Sequence, residues 1–449
     1  MKYEQYKPTG IFWLPQIPVG WDCLLLSQTA KEQCEKKPAG EIFTVMSLSY
    51  GNVIRKKNID AGLVPASYDN YQVIYAGNII LRLTDLQNDH TSLRTGLVKE
   101  TGIITSAYTC LAPVENSAYL QYLLHSYDTR KVFYGMGGGV RQSIGYKDIR
   151  SMKVPIPPRA EQDQIVRYLD WQVSKINKLI AAMKREIELL KELSLSDIEH
   201  VVTRGIDSTE FCDSGIDYIG MVPKHWKVVQ NRRIFREQSR KFSGFETVLS
   251  LSQKDGLIPY AEMTERSLHT ASYDNWKLVY PNDLVLNRFK AHLGVFFASQ
   301  YQGIVTFHYG VFEPKQRAIS KYYEALYHTP RYRQVFAGRS NGMTVGLQNL
   351  SNQNFYTVYT LLPPLSEQSI IVDRVNIIEK QYMSRTKSIV QSLDALYALR
   401  SRLISDVVTG QIDVRDIEIP AFDMVEESAS GEDEPDEDGV LEESDEQEE

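Results

Sequence analysis

Residues Val154–His200 read VPIPPRAEQDQIVRYLDWQVSKINKLIAAMKREIELLKELSLSDIEH, and Leu361–Leu403 read LLPPLSEQSIIVDRVNIIEKQYMSRTKSIVQSLDALYALRSRL. In both, a proline pair (Pro157-Pro158, Pro363-Pro364) ends what precedes it, because proline lacks the amide hydrogen and restricts its neighbour. No Gly or Pro follows from Glu161 to His200. Apolar residues recur there at Ile165, Leu169, Ile176, Leu179, Met183, Ile187 and Leu190, in steps of three, four and seven. This is the spacing of a coiled-coil seam. Forty helical residues at ~1.5 Å rise make a rod of roughly 60 Å. The second stretch carries Ile371, Val375, Ile378, Tyr382, Ile389, Leu393, Leu396 and Leu403 on a similar stripe, with Arg385 interrupting it. A narrow stripe on so long a rod calls for one partner stripe. Each helix is expected to be the other's partner rather than to lie on its own globule.

The stretches belong to an internal repeat. Ile17–Trp21 (IPVGW) answers Val222–Trp226 (VPKHW), and Val45–Ser49 (VMSLS) answers Val248–Ser252 (VLSLS). Ala66–Asn70 (ASYDN) recurs unchanged at Ala271–Asn275, and Val201–Asp207 (VVTRGID) answers Val407–Asp413 (VVTGQID). Order is preserved, so the chain is two copies of one unit: globule, proline pair, long helix. Such a duplication implies a pseudo-twofold arrangement, a symmetric dimer in one chain. Residues 205–220 read as a loop-like connector.

The globular parts mix short β-rich runs with turns. Runs fall at 42–48, 71–75, 78–83 and 102–108, and at 277–280, 284–287, 295–298 and 303–307, with helical stretches near 118–126 and 321–328. The expected fold class is α/β (α+β): two globular domains with mixed or antiparallel sheets, and two long helices forming an antiparallel coiled coil.

Net charge is −7, but fifteen of the 57 acidic residues lie in 421–449, which holds no Lys or Arg. The rest carries 50 basic against 42 acidic residues, a mild excess compatible with nucleic acid. The like-charged tail is expected to be disordered. Four Cys without C-x-x-C spacing argue against a disulfide scaffold or a zinc ribbon, and no metal site is expected. No apolar run reaches the ~18 residues of a membrane span, and the start lacks a signal-peptide core. A cytoplasmic protein without membrane contact is expected.

Polar and glycine-rich loops occupy matched places in the copies. One pair is Arg82–Arg94 and Asn287–His292, and the other is Gly135–Ser143 (GMGGGVRQS) and Gly338–Asn349 (GRSNGMTVGLQN). Arg, Lys, Asn, Gln and Ser read base edges and hold phosphates, and Gly lets backbone approach closely. Candidate DNA-contacting residues are Arg82, Arg94, Arg141, Gln142 and Ser143 in the first copy. In the second they are Arg288, Lys290, His292, Arg339, Asn341 and Thr344. No P-loop, no G-x-G-x-x-G before a helix, no methyltransferase N-P-P-aromatic signature and no G-x-S-x-G elbow occurs. Glu35-Lys36-Lys37 fits half of a nuclease motif, three letters that carry little weight. No catalytic residue is assigned.

The paired IPxGW/VPxHW openings, the P-P-x-x-E-Q helix entries at Pro157–Gln162 and Pro363–Gln368, and the VVTRGID/VVTGQID endings resemble the specificity (S) subunit of type I restriction-modification systems. The resemblance covers about residues 1–415 and leaves out the acidic tail. It implies a target recognition domain at 1–154, a helical conserved region at 155–204, a second recognition domain at 205–360, a second helical region at 361–415 and a tail at 416–449. It also implies a non-catalytic DNA-binding subunit that reads a bipartite, asymmetric duplex target, with the helices as the ruler between its halves. The implied partners are methyltransferase subunits, two of them, which bring S-adenosylmethionine and N6-adenine chemistry. Restriction subunits with ATP and Mg would join them, while this chain binds no cofactor itself. A duplicated protein-interaction scaffold without DNA is the competing reading.

Overall fold

The computed structural model describes residues 2–38, 43–56, 68, 70–84, 86, 93–114, 116–136, 144–241, 244, 246–253, 256–263, 273, 275–315, 317–341 and 349–426. The chain forms two compact units, residues 1–184 with 390–449, and residues 185–389. Neither unit equals one sequence copy. Each joins one globule to the start of that copy's long helix and to the end of the other copy's. The expected boundaries, which set the helical regions apart from the globules, are thereby redrawn through the middle of both helices.

The units repeat one topology. Each is centred on a four-stranded antiparallel sheet. In the first unit the spatial order is Ala30–Glu32, Thr109–Pro113, Ile79–Leu81, Thr95–Leu97. In the second it is Phe235–Glu237, Tyr309–Pro314, Leu284–Asn287, Phe296–Ala298. Central strands Ile79–Leu81 and Leu284–Asn287 are buried at every residue, because helices and a second layer cover both faces. A two-stranded ribbon in each unit pairs Tyr71–Ile74 with Gly102–Thr105, and Lys277–Val279 with Gly303–Val305. The beginning and end of each globule also pair, Asp22–Leu25 with Lys153–Ile156 and Lys227–Gln230 with Tyr359–Leu362. Helices Ser117–Thr129 and Ser320–Tyr327 lie where helical runs were expected. The connector is not wholly a loop: Phe211–Asp213 is a strand paired with Met221–Pro223, the counterpart of the Tyr6–Ile11/Leu14–Pro18 hairpin. Three residues with no alternation give no strand signal in sequence.

The cores differ in texture. The first unit buries mainly Leu, Ile and Val with Trp21, Tyr119, Tyr127 and Phe133. The second buries Phe235, Phe296, Phe312, Phe336 and Phe355 with Tyr322, Tyr323 and Tyr327, Phe296 and Phe336 lying 4.5 Å apart at their centroids.

The long helices run Arg159–Arg204 and Leu365–Val408. Ile165, Leu169, Ile176 and Leu190 are buried on the first, and Met183 and Ile187 half-buried. Leu179 is not on this face: it is 53% exposed, and Ile180 is buried in its place at 1%. Steps of three and four are both open from Ile176, and adjacent apolar residues made the wrong step look equally good. On the second helix Ile371, Val375, Ile378, Ile389 and Leu393 are buried, and Tyr382, Leu396 and Leu403 half-buried. Arg385 is exposed and bonds Glu186 at 2.8 Å. In the second unit Tyr382 also donates to Asp197 (2.8 Å), and in the first Arg400 donates to Asn177 (2.8 Å) while Lys184 lies over the Tyr397 ring. Within each unit, residue numbers fall on one helix as they rise on the other.

The tail does not leave the fold at residue 416. Gln164 donates to the carbonyls of Val414 (3.0 Å) and Ile417 (2.8 Å). Asn177 donates to Val425 (2.9 Å), whose amide donates to Ser174 (3.1 Å), and Lys99 pairs with Glu426. Residues 414–426 are therefore strapped to the first long helix, and the disorder expected from 416 does not hold for them. Backbone hydrogen bonds to helix side chains leave no trace in composition. Residues 427–449 lie outside the described residues. Among the described residues no helix is long and apolar enough to cross a membrane.

Candidate nucleic-acid interface

The repeated motifs build a clamp that positions each globule on the helices. Trp21, 1% exposed, donates through Nε1 to Glu161 at 2.9 Å, and Trp226 donates to Glu367 at 3.0 Å. Gln162 Nε2 donates to the Pro157 carbonyl (2.9 Å), and Gln368 Nε2 to that of Pro363 (3.0 Å), fixing each helix entry. The far end comes from the other copy. Tyr119 donates to the Val408 carbonyl (3.1 Å) and Tyr322 to that of Val202 (2.9 Å), serving carbonyls at helix C-termini that lack a helical partner. Burial pushes both hydroxyls well above the ordinary tyrosine range. Gly205 (φ +74°) and Gly410 (φ +71°) then end the helices in the left-handed conformation that glycine adopts readily. The opening, entry and ending motifs thus meet in space, twice.

With the globules so held, the candidate loops leave the central strands. In the first unit the chain passes from Ile79–Leu81 into Arg82, Leu83 and Thr84. The Ile144 amide donates to the Leu83 carbonyl at 3.0 Å, where the glycine-rich segment returns. In the second unit the Leu350 amide donates to the Arg288 carbonyl, also at 3.0 Å. Each copy therefore brings its two loops to one place, which the sequence presented as separate candidates.

Arg94 is a correction. Only 9% exposed, it reaches inward, donating to the carbonyls of Thr84 and Arg82, while its amide donates to Asp128 at 2.7 Å. It braces the loop rather than facing a ligand, since a buried guanidinium needs acceptors and backbone carbonyls supply them. Arg82 is half-buried at the loop's root. Arg141, Gln142 and Ser143 lie outside the described residues, as does Thr344.

In the second unit Asn287 caps the short helix Arg288–Leu293 by accepting from the Phe289 amide (3.1 Å). Arg288 pairs with Glu237 at 3.0 Å, and Lys277 reaches the same carboxylate at 4.0 Å. Burial, with Arg288 beside it, lowers the Lys277 pKa from its ordinary value. Lys290 is exposed and His292 half-buried. Arg339 and Asn341, both exposed, stand at the neck of the glycine-rich segment. Asn341 and Asn349 exchange backbone hydrogen bonds of 2.9 and 2.8 Å, and Asn354 donates to the Arg339 carbonyl at 2.7 Å. Sequence reading missed Phe289, 41% exposed between Arg288 and Lys290, and the bracing residues Glu237, Asn349 and Asn354. An aromatic between two cations was the available signal for Phe289. The braces, distant in sequence or uncharged, offered none.

The surface so formed holds cations, amides and an exposed ring on a fixed base. That suits phosphate contact and base-edge reading, with no nucleophile and base set for bond breaking. Among the described residues no three His, Cys, Asp or Glu gather to hold a metal.

Residues 97–189 match the family model described as the type I restriction modification DNA specificity domain. They run from the sheet through the glycine-rich segment and the clamp into the first long helix. Two relatives come from Methanocaldococcus jannaschii. The type I restriction enzyme MjaVIII specificity subunit is 24% identical over 233 residues, 51% of this chain and 52% of that protein. One named as the type I restriction enzyme MjaX specificity subunit is 31% identical over 123 residues, 26% of this chain and 27% of that protein. The chain thus spans from about a quarter to about half the length of these relatives. A chain from a structure concerned with complex assembly and conformational transition of the type I R-M system shares the fold. It is 14% identical, with a TM-score of 0.63 over 88% of this chain and 99% of that one. The chain resembles the type I restriction enzyme specificity subunits, and its residues 97–189 match their DNA specificity domain.

Proposed function

We propose that this protein is the DNA-recognition subunit of a type I restriction-modification complex, reading a bipartite, asymmetric duplex target and catalysing nothing itself. The observation that carries the reading is the duplication: two units with one clamp and one topology, each joining a polar loop to the neck of a glycine-rich segment. One scaffold with two sets of loop side chains suits two different half-sites. Methyltransferase subunits, two of them, would supply S-adenosylmethionine and N6-adenine chemistry, and restriction subunits ATP- and Mg-dependent cleavage.

In this reading the long helices pair antiparallel as a coiled coil and set the unread spacer. Supporting it are the buried stripes and the cross-helix bonds whose numbering runs in opposite directions within each unit. Half-sites about 34 Å apart, one turn of duplex, put two major grooves on one face.

Single-molecule sequencing of modified adenines, with and without this gene, tests the proposal. Loss of a two-part motif with one methyladenine per half is expected. Unchanged methylation in a host with an active methyltransferase partner would favour the scaffold reading. Inserting four residues within 176–190 tests the ruler: the motif should reappear with a longer spacer, and an unaltered spacer would sink that part.

A further inference from the structure

The two units differ most in charge beside the clamp. In the second unit a groove of about 850 Å³ runs along the Lys227–Gln230/Tyr359–Leu362 pair. Lys227, Arg232, Arg233, Lys315 and Arg317 line it. No carboxylate lines it, and none of the five cations forms an ion pair among the described residues. The Lys315 ammonium donates only to the Arg232 carbonyl, at 2.7 Å. The groove also exposes apolar surface, from Val228, Val229 and Leu362.

The same place exists in the first unit. Its strand pair Asp22–Leu25/Lys153–Ile156 has the same register, and the Val114 amide meets the Thr29 carbonyl as Lys315 meets Ile234, both at 2.8 Å. Position for position, Asp22, Ser27, Gln28, Val114 and Asn116 stand where the second unit has its five cations. The cleft there holds about 30 Å³. A contact made equally to both halves of a duplex would be present in both copies. A groove that is basic and open in one copy suits a ligand present once.

The chain contains a complementary ligand. Residues 427–449 carry thirteen Asp and Glu and no cation, and among them Val440-Leu441 is flanked by Glu437, Asp438, Glu442 and Glu443. An apolar pair between acid pairs matches an apolar floor between cations. A sugar-phosphate backbone would use the rim and leave the floor bare. We propose that this groove takes the acidic segment 427–449 of this protein, from the same chain or a second copy, with Val440 and Leu441 on the floor and the flanking carboxylates on Arg232, Arg233 and Arg317. The proposal does not rest on the DNA reading, and the methylation test leaves it untouched.

The experiment uses the full chain with Leu441→p-benzoylphenylalanine, irradiated and mapped by mass spectrometry. Crosslinks should fall on 227–234 and 315–318, in monomers or dimers according to which copy supplies the segment. The yield should drop at least tenfold in Arg232→Glu/Arg233→Glu/Arg317→Glu, and fall with salt as the Debye length shortens from about 10 Å at 0.1 M to 3 Å at 1 M. A second variant acts outside the described fold: Glu437, Asp438, Glu442 and Glu443 changed to Gln or Asn should lower the yield similarly. Scattered crosslinks, or yields indifferent to both variants, overturn the proposal. It also falls if an unrelated DNA duplex shields Lys227 and Lys315 from acetylation while the segment crosslinks elsewhere, for the groove then belongs to nucleic acid.

Discussion

The unit of residues 1–184 with 390–449 and the unit of residues 185–389 share a clamp and differ in nearly everything the clamp supports. Trp, Glu, Gln, Tyr and Gly occupy matched places with hydrogen bonds equal within about 0.2 Å. Around them the core changes from aliphatic to aromatic, the loops change their cations, and the cleft beside the strand pair changes from filled to open. The clamp must satisfy helix ends, a constraint identical in both units. The core needs only volume, which leucine-rich and phenylalanine-rich packing both meet.

The comparison breaks most readily at the tryptophans. Trp21→Ala and Trp226→Ala each remove a buried indole and its bond to a helix-entry glutamate, and each should cost about 3–5 kcal/mol. Chemical denaturation of the two variants checks this, and a cost below about 1 kcal/mol for either would mean that the clamp is not shared energetically.

The glycines sharpen it. A Cβ on Gly410 would meet the Pro18 ring at 2.4 and 2.6 Å, whereas one on Gly205 would meet the side-chain ends of Glu367 and Ser208 at 2.8 Å. Both pay the left-handed backbone cost of about 1–2 kcal/mol. Only Gly410→Ala adds overpacking against a rigid ring, another 1–3 kcal/mol. Gly410→Ala should therefore have the lower midpoint in urea, and equal midpoints would refute the asymmetry.

Arg94 and Arg339 contrast a brace with a reader. Arg94→Ala strands carbonyls and Asp128, costing about 1–3 kcal/mol of stability with the methylated motif unchanged. Arg339→Ala should stay within about 0.5 kcal/mol in stability yet weaken DNA binding by about 1–3 kcal/mol. Filter binding and denaturation on both variants separate the roles.

The smallest effect is a pH slope common to both units. Burial, aided by Arg400 for His125 and by Arg333 and Lys321 for His328, pushes each imidazole down to about 4. A folded pKa below the ordinary 6.5 means that the unfolded chain binds more protons between these values, so stability is present above pH 6.5 and lost as pH falls toward 4. His125→Gln and His328→Gln should each flatten that slope, and an unaltered midpoint-against-pH curve would count against the assignment.

Much of the candidate interface was legible because its signals are local. Strand runs at 71–75, 284–287 and 303–307 correspond to observed strands at Tyr71–Ile74, Leu284–Asn287 and Gly303–Val305. The loops leaving the central strands were found from Arg, Lys and Gly. Arg94 misled because exposure is not encoded in residue type, and Leu179 because neighbouring apolar residues leave helical phase open by one position.

By itself the sequence determined the duplication, the two helices, their ends and the matched loops, since periodicity, proline, glycine and recurrence are properties of neighbours along a chain. Only the tertiary structure decided that each compact unit takes a helix end from the other copy, that the motifs converge on one clamp, that residues 414–426 lie along the first long helix, and that one groove is basic and open while its counterpart is filled. These depend on which buried polar groups find partners, and the partners lie as far as 289 residues away.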